Sequence, residues 1–340
     1  MTILIDIIHP AHLNLFKKAI HILHKKGYHV IITCINRGRL PDIVKKELAP
    51  LKVNVIGRHR GTIWSIIVEA NIIRFFKVFS FILNKRVDVG ISFGSFLIGF
   101  VLTIMRKPNI HLSDDPERKM NAVLELMSCT ERYLPPIVHP KGKTKTFNAL
   151  KEWAYLSPEY FIPDSRVLEQ YRLKPKEYLF IREVSTGSLN YKGQETGLVG
   201  TFAERLSKDF KVIFSLEDKL LVDRYPSDWI LLKEPVNDIH SIIYYSRLVI
   251  SSGDSMAREG AMLGNPGIYC GNREMKANQL LINKKMLYKV DPDKVPEFVE
   301  EICLNKIKVK DQNQFRQELL EEWDDVTLFI IKTVLKNQKQ

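Results

Sequence analysis

Cysteine is scarce: Cys34, Cys129, Cys270 and Cys303 are the only four in 340 residues, far apart in sequence, with no CxxC spacing and no close histidine partner. A zinc site and a disulfide scaffold are thereby excluded, and a reduced, cytoplasmic protein with no bound metal or cofactor is expected. No low-complexity tract or solenoid-period repeat is present. Nor is there a basic stripe interleaved with aromatics, so a nucleic-acid partner is not expected. The opening MTILIDII lacks a basic leader and a small-residue cleavage site, which argues against a secretory signal. The one long charge-free run, Val89–Met105, has 17 residues, the bottom of the transmembrane range of about 17–25. Gly90, Gly94 and Gly99 punctuate it, so it reads as a buried strand, a turn at Gly94-Ser95 and a buried helix. Ile63–Leu83 is also very apolar, but Glu69, Arg74 and Lys77 would be costly in a bilayer, and an amphipathic helix is predicted instead.

What is present is an ordinary globular composition, 45% hydrophobic and 26% charged, on a chain long enough for two domains. The net charge of +12 is lopsided. Residues 1–165 carry 24 Lys+Arg against 13 Asp+Glu, a balance of +11, whereas the remaining 27 and 26 leave residues 166–340 at +1. A basic field confined to one half suits nucleic acid, an anionic membrane surface or an acidic substrate, or a solvated surface that only aids solubility.

Strand-like runs at Ile3–Ile8, Tyr28–Cys34, Val53–Ile56 and Val87–Phe93 alternate with helical patterns at Leu13–Lys26, Leu40–Leu48 and Ile63–Leu83. Such alternation predicts right-handed βαβ units and a parallel sheet covered on both faces. Leu134-Pro135-Pro136 and the following prolines to Pro163 read as an inter-domain connection. A second series follows: strands at Tyr178–Arg182, Phe210–Ser215, Trp229–Leu232, Leu248–Ser251 and Gly267–Cys270, with helices at 197–207, 237–246 and 255–263 and terminal helices over 293–338.

The segment with most chemistry is LVISSGDSMAREGAMLGNPGIYC, Leu248–Cys270. A buried strand runs into the small, hydroxylated loop Ser251-Ser252-Gly253-Asp254-Ser255, and a helix begins at once. Backbone N–H groups at such a helix start, with their partial positive charge, make a seat for a phosphate or diphosphate. Glu259 lies near enough to accept from a ribose diol. A plain helix cap at Asp254 or Ser255 would produce part of the same pattern. At the end of the first strand, His9 and His12 flank Pro10. An imidazole there could serve acid/base chemistry, or both rings could simply bond locally at a helix start. Asp114-Asp115, after the strand Asn109–Ser113, could supply a general base for an acceptor hydroxyl or cap a helix from Pro116; successive strand residues face opposite ways, so only one is expected to serve. Ser92-Phe93-Gly94-Ser95 reads as lining of a ligand crevice.

SSGDSMAREGAMLGNPGIY is similar to the nucleotide-sugar loop of the GT-B superfamily, which holds glycosyltransferases and non-hydrolysing UDP-N-acetylglucosamine 2-epimerases. With IDIIHPAHLNLFKKAIHIL, HLSDD, FNALKEWAYLSPEYFIPD and NDIHSIIYYSRLVIS in order, the chain from about residue 3 to about residue 275 resembles the DUF354 family of that superfamily. The resemblance implies an α/β GT-B architecture, two Rossmann-like parallel-sheet domains with an inter-domain cleft: a basic acceptor-side domain at 1–150, a nucleotide-sugar domain at 165–320, and a C-terminal helix at 321–340 packing back on the first. It implies that Ser251, Ser252, Gly253, Asp254, Ser255 and Met256 hold the diphosphate and Glu259 the ribose. Arg182 and Ser185 would add to the diphosphate site, His240 and its neighbours from Asn237 would flank the base, and no metal would be needed. His9, His12, Asp114 and Asp115 are the catalytic candidates. Two departures stand out. Thr186–Lys192 replaces an Ala-His-Asp-like segment, and Gly260 replaces an alanine, a change expected to cost only helix propensity.

The expected activity is transfer of a sugar from a nucleotide-sugar donor, UDP-linked by resemblance, to a glycan or lipid-linked acceptor in polysaccharide biosynthesis, with peripheral attachment at the inner face of the membrane. A nucleotide-sugar 2-epimerase and a nucleotide-sugar-binding protein without turnover are the alternatives, the last motivated by the missing His-Asp segment.

Overall fold

The computed structural model describes residues 1–62, 64–187, 191, 193–206, 210–233, 236 and 238–337. Its chain forms two compact units, Met1–Tyr155 with the segment from Trp323 onward, and Leu156–Glu322.

The first unit is built from β1 (Thr2–Ile7), α1 (Pro10–Lys25), β2 (His29–Asn36), α2 (Leu40–Glu47) and β3 (Val53–Arg58). A π-helical segment, Ser65–Ile73, continues into α3 (Arg74–Leu83). There follow β4 (Val89–Phe93), α4 (Phe96–Ile104), β5 (Asn109–Leu112), α5 (Lys119–Ser128), β6 (Glu131–Leu134) and β7 (Thr144–Thr146), with a short α6 at Trp153–Leu156. All seven strands are parallel, in the order β3-β2-β1-β4-β5-β6-β7. The order reverses between β1 and β4, and the carboxyl ends of strands at such a reversal are where open parallel sheets generally bind ligands. β7 falls inside what the sequence suggested was only a connection, and β6, which the sequence did not show, ends where that connection begins. Their brevity and polar residues, GluArgTyrLeu and ThrLysThr, hide the apolar run that marks a buried strand.

β1 is central and apolar apart from Asp6, which is fully buried. A buried carboxylate must be compensated. Arg74 donates to it at 2.5 Å, Thr33 at 2.8 Å and Ser95 at 3.1 Å. Gly57 (φ +76°) makes room, because a Cβ there would lie 2.6 Å from Arg74 Cγ. The 64–83 stretch keeps part of the amphipathic helix expected, since α3 buries Val78 and Ile82 and exposes Lys77, but the segment before it is π-helical. Glu69 and Arg74 are buried while Trp64, Ile67, Ile72, Phe76 and Leu83 are exposed. The i→i+5 register of the π segment helps turn Glu69 and Arg74, five residues apart, to the same side.

The second unit repeats the plan with β8 (Tyr178–Glu183), β9 (Lys211–Leu216), β10 (Ile230–Leu231), α7 (Ile239–Tyr245), β11 (Val249–Ser251), α8 (Asp254–Met262), β12 (Gly267–Tyr269), α9 (Lys276–Asn283) and β13 (Leu287–Lys289). Two more helices, α10 (Val295–Cys303) and α11 (Gln312–Glu322), close it, and α12 (Val326–Lys336) belongs to the first unit. The parallel order is β10-β9-β8-β11-β12-β13, with its reversal between β8 and β11. The helix expected at 197–207 is instead two 3₁₀ turns, Leu198–Thr201 and Ala203–Arg205, with Ser207 outside the described residues. Gly197 is left-handed (φ +78°) and Gly200 adds little helix propensity, so no α-helix nucleates.

Candidate functional site

The candidate residues gather at two places, the carboxyl edge of each sheet at its reversal point. In the first unit His9 is the N-cap of α1, its Nδ1 accepting from the Ala11 N–H at 3.2 Å. That matches the local helix-start role. His12, in the first turn, is buried and packs edge-on against Phe93 with ring centroids 5.1 Å apart. Its Nδ1 meets no hydrogen-bond partner among the described residues. Burial, then the neighbouring His9 and Lys151, hold its pKa well below the ordinary histidine value, so the ring is neutral. The adjacent aspartates part company. Asp114 turns inward to an ion pair with Lys151, whose Nζ lies 5.1 Å from the Phe93 ring centroid, and Asp115 pairs with Arg118 at 3.1 Å. Neither caps α5, which begins only at Lys119 behind Arg118.

In the second unit Ser251 pairs in register with Arg182 across β11 and β8. Gly253 is the N-cap of α8 and supplies no side chain, leaving the first-turn N–H groups without an intrahelical acceptor. A Cβ on Gly253 would lie 2.5 Å from Val184 Cγ1, so the loop needs glycine to sit this close to β8. The two serine hydroxyls expected on a diphosphate are spent inside the loop. Ser251 Oγ donates to the Gly253 carbonyl at 2.7 Å and accepts from its N–H at 3.0 Å. Ser252 Oγ donates to Glu183 at 2.6 Å and accepts from the Val184 N–H at 3.0 Å. Asp254 also turns inward, accepting from Arg258 and from the Tyr191 hydroxyl, both at 3.1 Å, with Arg273 at 3.7 Å. A carboxylate beside a diphosphate would repel it, and this inward pairing removes that penalty. What remains for an anion is the backbone at the start of α8, with half-buried Ser255 and Met256.

Arg182 donates to Ser215 at 2.6 Å and pairs with Glu217, whose other oxygen accepts from the Ser185 N–H at 2.8 Å. The guanidinium is thus positioned but already shares its charge. Glu259 and His240 come together, with His240 Nε2 3.5 Å from the carboxylate and its ring centroid 6.3 Å from that of Phe161. Asn237, and Ser188–Asn190 and Lys192 of the divergent segment, lie outside the described residues. Gly260 is more than a propensity loss: a Cβ there would stand 2.6 Å from Val249 Cγ2, so glycine lets α8 lie against β11.

Several contributors escaped the sequence. Lys151 and Glu217 are distant ion-pair partners with no local signal. Glu183 shows only as a charge at the end of an apolar strand, yet it is buried, bonded to Ser252, to the Val199 N–H at 2.6 Å and to Tyr225 at 3.2 Å. Burial raises its pKa above the usual carboxylate value. Among the described residues no group of three or more His, Cys, Asp or Glu is placed to hold a metal ion, and no helix is long and apolar enough to cross a membrane.

Two Rossmann-like parallel sheets, each with its polar cluster at the carboxyl edge of the reversal point, define a GT-B protein. Solved structures share the whole fold. The UDP-GlcNAc 2-epimerase of Methanocaldococcus jannaschii, in complex with UDP-GlcNAc and UDP, matches with a TM-score of 0.71 at 14% identity over 99% of both chains. Spinosyn forosaminyltransferase SpnP matches with a TM-score of 0.71 at 13% identity over 100% of both. An uncharacterized protein of Methanocaldococcus jannaschii is 23% identical over 313 residues, 87% of this chain and 90% of its own. The family model DUF354, described as a protein of unknown function, matches residues 1–339, and the chain belongs to that family.

Proposed function

We propose that this chain is a cytoplasmic, metal-independent glycosyltransferase of polysaccharide biosynthesis, moving a sugar from a UDP-linked donor to a glycan or lipid-linked acceptor. The observation that carries this reading is His12: a buried imidazole, held well below its ordinary pKa, whose Nδ1 meets no hydrogen-bond partner among the described residues, at the carboxyl edge of the first sheet. Such a ring is a ready base for an acceptor hydroxyl. In the proposed reaction His12 takes the hydroxyl proton as the acceptor oxygen bonds to the anomeric carbon. The bond from that carbon to the diphosphate oxygen breaks, and the electron pair leaves with the nucleoside diphosphate. Within the second unit, taken by itself, the N–H groups at the start of α8 and Arg182 are assigned the diphosphate. Asp114 and Lys151 position the base rather than act on substrate. Glu259, steadied by His240, takes the ribose. The epimerase alternative needs a carboxylate free to take the proton from C2, whereas Asp114 is engaged by Lys151, an opposite charge that weakens it as a base.

The test measures donor binding and chemistry separately. His12→Gln should lower turnover at least about 100-fold while leaving the UDP-induced rise in melting temperature unchanged. Glu259→Ala should weaken UDP binding about tenfold or more without altering the unliganded melting temperature. Solvent deuterium appearing at sugar C2 of UDP-GlcNAc would replace transfer by epimerisation. Absence of any thermal shift with UDP, GDP, TDP, ADP or CMP would remove the donor site from α8.

A further inference from the structure

The helices over one face of the first sheet expose the wrong kind of surface for water. Trp64 is 70% exposed, Phe76 64% and Met120 75%. On α5 the apolar exposure follows one helical stripe, Met120, Val123 and Met127, at i, i+3 and i+7. The helices lie side by side, α3 against α4 and α4 against α5. Parallel strands joined by crossovers make these helices run in one direction, so Leu83, Ile104 and Met127 end near the same edge. Lys85, Arg86 and Arg106 follow directly there, while Arg60 and Lys119 stand at the opposite ends. Over residues 52–119 the described chain exposes eight Lys or Arg against two Asp or Glu, Asp88 and Glu117. An apolar centre with a basic rim is the result.

We propose that this face, formed by the outer sides of the π segment, α3, α4 and α5, docks on the surface of an anionic lipid bilayer. Apolar side chains enter the acyl boundary and the basic rim meets lipid headgroups. The charge distribution selects this occupant. A two-fold contact between copies of the chain would set the basic rim against itself. Nucleic acid would meet the rim but leave the apolar centre without a partner. The charged residues of the 64–83 stretch that point inward, Glu69 and Arg74, are held by the exposed Arg58 and by the buried Asp6, so the outward apolar face is fixed by one buried pair and one partly exposed one. The inference stands whether or not the chain transfers sugar, since it uses none of the site residues.

The experiment is vesicle co-sedimentation of the full chain with phosphatidylcholine alone and with 30% phosphatidylglycerol, about 0.1 and 0.5 M salt. Trp64 supplies a second readout. Trp153 and Trp323 are buried and the half-buried Trp229 lies in the second unit, so a bilayer-induced blue shift of tryptophan emission reports chiefly on Trp64 and should vanish in Trp64→Phe. Wild type should bind anionic vesicles, and lose most of that binding at high salt or on neutral lipid. Lys85→Ala with Arg86→Ala should weaken it roughly 25-fold at low salt, at about fivefold per basic group. Phe76→Asp should weaken it at least about tenfold with an unchanged melting temperature. Equal binding by these variants, or no emission shift on anionic vesicles, would overturn the proposal. A stable dimer in sedimentation velocity that Phe76→Asp dissociates would assign the face to self-association instead.

Discussion

His12, the proposed base, also bears on the stability of the first unit. Its folded-state pKa is depressed by burial, so between that value and about 6.5 the unfolded chain binds a proton at this residue that the folded chain does not. Unfolding free energy therefore falls as pH drops through this window, at up to about 1.4 kcal/mol per pH unit, and His12 contributes no pH dependence above it. In His12→Gln that slope should disappear. Urea midpoints at pH 7.0 and 5.5 should lie closer together in the variant than in wild type; equal spacing would mean His12 is protonated in the fold. The same depression should carry the acid limb of turnover below the ordinary histidine range. At this scale the sequence was half legible. A histidine after a first strand is visible, and so is an aspartate after β5. That Lys151 claims the aspartate, and that Ser251 and Ser252 turn their hydroxyls inward, depends on partners far away in sequence, which no local pattern encodes.

At the scale of elements, α8 on β11 decides where the proposed anion seat would lie. Gly260→Ala gains up to about 1 kcal/mol of helix propensity but forces a Cβ into Val249, an overpacking cost of about 1–3 kcal/mol. The variant should be less stable by about 1–2 kcal/mol in urea unfolding and should bind UDP more weakly, because displacing α8 moves its first-turn N–H groups. A variant as stable as wild type would show that Val249 yields. Most elements were legible because parallel sheets buried on both faces need near-continuous apolar strands, such as Ile3–Ile7 and Val89–Phe93, and glycines end the helices between them. The exceptions each broke that pattern. β6 and β7 are short and polar, the turns after Gly197 never become a helix, and the 64–83 stretch leaves Trp64, Ile67, Ile72 and Phe76 outward while Asp6 draws Arg74 inward through the gap left by Gly57.

At the scale of the whole molecule, the first unit is discontinuous in sequence and depends on its last segment. Trp323 packs edge-on against Trp153 with centroids 5.7 Å apart, and Phe329 lies 5.0 Å from Tyr133 and 5.1 Å from Phe147. Thr327 Oγ1 donates to the Ala154 carbonyl at 3.0 Å, and α12 rests on α1 and β4. Ending the chain at Glu322 would strip apolar cover from a sheet that needs both faces buried, while every strand of the second unit keeps its neighbours. Hydrogen exchange of that truncated chain should therefore lose protection in β1–β7 and keep it in β8–β13. UDP should still raise protection of the amides from Asp254 to Met256, because the proposed seat lies wholly within the second unit. Retained protection in β1–β7 would mean that α12 only decorates the first sheet. Loss of protection throughout would mean that the second unit takes its stability from the first, and the anion seat of α8 could then not be treated as a local property of its own sheet.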